Sequence, residues 1–171
     1  MSYTVSQVLG SNPEALLAAS HQAQEGARRV NSQIEEVRGK FAELKDDWIG
    51  TAADAAQKQG REMFEDQVAY RDKLYEVATP LASGGKELTE LRSSLKAAID
   101  SAEAWWDVGD TGSVKPGLWL SWYASLTDVN ALIVESRRIP VECDIKLKLA
   151  QFEAADRDTA YQVRKVGWEL T

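Results

Sequence analysis

The chain has 171 residues, 44% of them hydrophobic and 27% charged, with a formal net charge of −7. A chain of this size and composition builds a sizeable core as about one domain, which excludes wholesale disorder. The acidic balance removes the basic surface on which most nucleic-acid affinity rests, and no apolar run approaches the roughly 20 residues of a membrane span, so neither nucleic-acid binding nor a transmembrane segment is expected.

The opening stretch MSYTVSQVLG lacks the basic and apolar regions of an ordinary secretory signal, so any export is expected to follow another route. At SNPE a helix is expected to begin: Ser11 or Asn12 can cap it, Pro13 suits its first turn, and Glu14 suits the positive end. From there Leu16, Ser20, Ala23, Ala27, Val30, Ile34, Val37, Phe41, Leu44 and Trp48 alternate at spacings of four and three. That is an a/d seam of more than four heptads, interrupted only by Ser20. Its sole histidine, His21, stands beside Ser20 and has no second histidine or cysteine cluster with which to complete a metal site.

The rhythm breaks at DDWIG, residues 46 to 50. Taken by themselves, Trp48 is the last seam residue of the first helix and Gly50 its stop, where a left-handed backbone favours a residue without Cβ. With Thr51 as expected cap, a second helix follows the frame Ala53, Ala56, Gly60, Met63, Gln67, Tyr70, Leu74, Val77 and Leu81. The same phase continues through Gly84, Leu88, Leu91, Leu95, Ala98, Ala102 and Trp105, so a kink or short break is expected at Pro80 and the following SGG. A second stripe at Phe64, Val68, Tyr75, Ala78 and Ala82 widens the apolar face beyond the needs of a two-helix hairpin. That surplus has to meet either the rest of the chain or a partner.

Residues 107 to 115, DVGDTGSVK, form the clearest loop. Beyond it Leu118, Trp122, Leu126, Val129 and Ile133 keep helical spacing until Pro140, where that helix is expected to end. A last helix from about Val141 carries Ile145, Leu149, Phe152, Val163 and Val166, with Asp156 and Thr159 interrupting its seam. The expected fold is all-α, an elongated antiparallel bundle of four long helices in one domain. It comprises a helical hairpin over 13–105, a loop over 106–116 and two C-terminal helices over 117–171.

No catalytic, cofactor-binding or metal-binding residues are expected. The serines lack a Gly-x-Ser-x-Gly elbow, SGGKELT lacks the ending of a phosphate loop, and Glu142, Asp144, Glu153, Asp156 and Asp158 lack the Glu-x-x-His pattern of di-iron bundles. The single cysteine, Cys143, excludes an intrachain disulfide and is read as a small, partly buried helical residue. Trp105, Trp106, Trp119 and Trp122 crowd around the loop. They either pack the end of the bundle or form a recognition tip.

A heptad helix, a turn reading Trp48-Ile49-Gly50 and a second Ala-rich helix together resemble the Trp-X-Gly (WXG) superfamily, small helical proteins exported by the type VII (ESX) secretion systems of Gram-positive bacteria and actinobacteria. The resemblance covers roughly 13–105. It implies a folded helical hairpin that pairs with a WXG-type partner, often as a heterodimer, and is recognised by a secretion ATPase or chaperone. It further implies a cytoplasmic pool before export to the medium or cell surface. The motif would then be Trp48 and Gly50, and partner contacts are expected at Phe64, Val68, Tyr75, Trp119 and Trp122.

Two features depart from the family. Tyr70, Tyr75, Tyr123 and Tyr161 are followed four residues on by Leu74, Thr79, Thr127 and Lys165, not by the aspartate or glutamate of the usual export signal. The extra length resembles the helical delivery domains that precede toxins or enzymes in larger WXG-type proteins. Heptads alone would equally suit a cytosolic helical adaptor.

Overall fold

The computed structural model describes residues 3–47 and 49–168. It is all-α apart from one small β-hairpin. Five helices occur among the described residues: α1 (Val5–Gly10), α2 (Glu14–Asp47), α3 (Thr51–Ala102), α4 (Leu118–Leu126) and α5 (Asp128–Trp168). Strands β1 (Trp106–Val108) and β2 (Val114–Pro116) pair antiparallel between α3 and α4, with Trp106 opposite Pro116 and Val108 opposite Val114. The chain packs as two compact units. One holds the segment ending at Ala15 together with Gly84–Tyr161, the other Leu16–Ser83 together with the segment beginning at Gln162.

The second unit is built on the α2/α3 hairpin. Contacts run in opposite directions along the two helices: the Ser20 hydroxyl donates to the Ala78 carbonyl at 2.7 Å, Arg71 donates to Asn31 at 2.7 Å, and Phe41 meets Phe64 edge-on at 5.5 Å. Ser20 is therefore a satisfied seam residue, and its neighbours Ala27 and Ile34 are fully buried. On α2 the expected heptad faces inward as far as Phe41, while Leu44 is 53% exposed. On α3 the expected frame is buried at Ala53, Gly60, Leu88 and Leu95 but departs at Met63 and Tyr70, which remain 43% and 53% exposed while Phe64 and Arg71 make contacts to α2. Gly60 belongs to this face, since a Cβ there would lie 2.8 Å from the Phe41 ring.

In the first unit α5 runs antiparallel to α3: Lys148 donates to Ser94 at 2.9 Å, and Thr159 packs over Gly84. Leu88, Leu95, Ile99, Val134, Ile145, Leu149 and Phe152 are buried here. The residues expected to interrupt the last seam have specific partners, Thr159 donating to the Ala155 carbonyl and Asp156 accepting from the Tyr3 hydroxyl at 2.8 Å. That carboxylate, together with burial, raises the Tyr3 phenol above its usual pKa.

Four local expectations need correction. The helix is unbroken at Pro80, and Pro140 lies inside α5 instead of ending a helix. The break falls at Thr127, an extended residue whose hydroxyl accepts from the Asn130 amide and so caps α5. Of the four helices expected to be long, α4 has only nine residues. Residues 107–115 are a hairpin whose Gly112, at φ 76, presses against Leu149 and Ile145, not a plain loop.

The short α1, which hydropathy did not signal, is held by its unpaired amides. Val5 donates to the Asp110 carbonyl at 2.8 Å, Ser6 to the Asp110 carboxylate at 2.7 Å, and Gln7 to Thr4 in a capping box. The Ser6 amide holds the Asp110 carboxyl below its ordinary value. A depressed folded value means this contribution is fully present above the usual aspartate range and fades as pH falls through the folded value. Acid titration should therefore speed amide exchange at Ser6 before the core opens, and Asp110→Ala should abolish that pH dependence.

Candidate interaction surfaces

At the hairpin tip the decisive geometry is at Gly50, which has φ 123 and whose carbonyl accepts from Asp54 at 3.0 Å. Gly50 thus occupies the half-in position before α3 that sequence spacing assigned to Thr51. Trp48 lies outside the described residues. Ile49, between the two motif residues, is exposed. Side chains with Cβ are strained at this φ, so Gly50→Ala is expected to cost about 1–3 kcal/mol, read as a lower denaturant midpoint.

Farther along the hairpin is a cavity of about 380 Å³ lined by Phe41, Phe64, Arg38, Arg61 and Glu65. Phe64, expected on a partner-facing stripe, is half-buried in contact with Phe41 of its own hairpin, and Val68 is half-buried also. Tyr75 is exposed, as are Met63 and Tyr70 on the same helix. The stripe that sequence reasoning assigned to the seam therefore supplies part of the free apolar surface of α3.

The other candidate surface is in the first unit. Trp106 is only 7% exposed, whereas Leu118, Trp119 and Trp122 are 93%, 72% and 56% exposed, and α4 has no buried residue at all. Trp119 and Trp122 stack edge-on with ring centres 5.5 Å apart. Leu126 at the end of α4 and Val129 and Leu132 on α5 are exposed as well. Residues 116 to 127 contain no charged side chain. Large exposed apolar patches of this sort mark interaction sites more often than chance surface.

No other constellation converges. Glu142 pairs with Arg138 and Lys146 and accepts from the Val114 amide, Asp144 pairs with Lys148, and Glu153 pairs with Arg157. Among the described residues no group of His, Cys, Asp or Glu could hold a metal ion, and no helix is long and apolar enough to cross a membrane. His21 is exposed. Cys143 is exposed too, because the buried face of α5 passes through Ile145 and Leu149, correcting the expectation of partial burial.

Residues 10–91 match the family model WXG100, described as proteins of 100 residues with WXG. This stretch of the chain belongs to the WXG superfamily. The WXG100 match takes in α2 and α3 as far as Leu91, including the whole hairpin unit up to Ser83. The family is one of helical proteins associated with type VII secretion, which pair with helical partners. No curated protein and no solved structure matches the chain.

Proposed function

We propose that this chain is a non-enzymatic WXG-type protein that leaves its cell through a type VII secretion pathway, alone or carrying an attached effector, after pairing with a helical partner. The observations that support it are an α4 with no buried residue and the WXG100 match over residues 10–91. A protein that exposes Leu118, Trp119 and Trp122 needs a cover while it waits in the cytoplasm. A WXG-type hairpin presenting its own apolar face is the partner assigned here, with Tyr75 on α3 as a further contact. The secretion ATPase or a chaperone would then receive the pair, Trp48 and Gly50 marking the turn.

The test is secretion in the native host. The tagged full-length protein is followed in culture filtrate and lysate, with and without the type VII ATPase, using a cytosolic protein to report lysis. ATPase-dependent release is expected, and a Trp119→Ser/Trp122→Ser double variant should remain folded but lose its co-purifying partner. Retention of a folded, well-expressed protein with its gene neighbours present would overturn the proposal.

A further inference from the structure

A second feature of the first unit is not a protruding face but a recess. Trp105, Trp106 and Leu120 wall one side of a cavity of about 500 Å³, and Pro140 and Val141 wall the other. Its volume falls within the roughly 300–1,000 Å³ of small-molecule sites. Backbone pairing builds the walls before any ligand arrives. Trp106 is held opposite Pro116, the Gly117 amide donates to the Trp105 carbonyl at 3.0 Å, and the Ser121 hydroxyl donates to the Pro116 carbonyl at 3.0 Å. A Cβ at position 117 would lie 2.8 Å from that Trp105 oxygen, so glycine is what lets α4 start this close to β1. Leu120, in the first turn of α4, thereby lines the recess.

The polar lining is sparse and one-sided. Besides the indole N–H groups of Trp105 and Trp106, only Ser136 and Arg137 contribute polar side-chain groups, and the Ser136 hydroxyl already donates to the Ile133 carbonyl at 2.8 Å. Arg137 makes no ion pair or side-chain hydrogen bond among the described residues, whereas its neighbour Arg138 is paired with both Glu135 and Glu142. In a chain of net charge −7, the single charged group at this apolar recess is thus an uncommitted guanidinium. Such a group favours a carboxylate, which it can hold by two parallel hydrogen bonds.

We propose that this recess binds a long-chain carboxylate, its acyl chain against Trp105, Trp106, Leu120 and Val141 and its head on Arg137. A peptide fits less well, because its buried amides would find almost no partners on these walls, and unpartnered amides are costly to bury. An acyl chain has no such groups. This assignment does not depend on whether the chain is exported.

The test titrates the intact full-length chain with dodecanoate below its micelle concentration, following tryptophan fluorescence and heat. Saturation at one dodecanoate per chain is expected, with dodecanol binding about tenfold or more weakly, since it cannot make the charge-assisted bonds. Arg137→Gln, an exposed change that leaves the core intact, should weaken dodecanoate by a similar factor, while the Trp119→Ser/Trp122→Ser double variant should bind as the parent does. The assignment fails if Arg137→Gln binds dodecanoate unchanged, or if the double variant alone loses binding, which would place adsorption on the outer face of α4. It fails equally if a short peptide with a C-terminal tryptophan carboxylate binds more tightly than dodecanoate.

Discussion

Gly84→Ala is expected to destabilise the protein, although alanine is the better helix former by about 1 kcal/mol. A Cβ at position 84 would lie 2.3 Å from both Cγ2 and Oγ1 of Thr159, a contact that cannot persist. Thr159 has little room to yield, because it is buried, β-branched and bonded through its hydroxyl to the Ala155 carbonyl. Overpacking of this kind costs about 1–3 kcal/mol, enough to cancel the gain in helix propensity and leave a net loss. Gly39→Ala is the natural control. It sits inside α2 with nothing within 4 Å of its would-be Cβ, so it should stabilise by about 0.5–1 kcal/mol. Denaturant midpoints of opposite sign would support the α3/α5 contact, and Thr159→Ala should rescue Gly84→Ala. Two shifts of the same sign would show that the helices do not approach so closely.

The tryptophans should separate as sharply. Trp106→Ala removes an indole that is 7% exposed and leaves a hole under the β-hairpin, so it should cost about 3–5 kcal/mol. Trp119→Ser and Trp122→Ser touch little beyond each other and should each change stability by less than about 1 kcal/mol. Thermal unfolding of the three variants is the measurement. A large loss from Trp119→Ser would show α4 to be part of the core, and the partner surface proposed for it would go.

Much of this architecture was legible in the sequence, and the exceptions have physical causes. On α2 a single apolar stripe left one possible frame, and the structure uses it from Leu16 to Phe41. On α3 two stripes run side by side, and spacing alone cannot choose between Met63 and Phe64. The choice is made by shape, because Phe41 needs the space that Gly60 leaves and finds Phe64 beside it. Prolines misled at 80 and 140 because a lost hydrogen bond, worth about 3 kcal/mol with its steric clash, is outweighed where buried residues continue on both sides. Ala78 and Leu88 bracket the first, Val134 and Ile145 the second. The true break at Thr127 had a signal, a capping threonine three residues before Asn130, that the periodicity of the surrounding leucines and tryptophans obscured. The β-hairpin is only three residues per strand, too short for alternation to register, although glycines at 109 and 112 marked its turn. The family motif was legible as letters. The recess beside Arg137 was not, since it joins residues from 105 to 141 that only folding brings together.

A nine-residue helix that buries nothing also has a consequence for the chain's behaviour in time. Isolated helices shorter than about 12–15 residues are marginal in water, and α4 lacks the packing that sustains most helices in proteins. Its helicity rests on the tether at Gly117 and Ser121 and on Asn130, whose side-chain amide donates to the Tyr123 carbonyl. The backbone of residues 118–126 should therefore open many times for each global unfolding event, keeping this stretch among the fastest-exchanging helical amides of the protein. Anything that settles on the tryptophans would slow those amides first. The segment is thus a built-in reporter of occupancy, readable without knowing in advance what the occupant is.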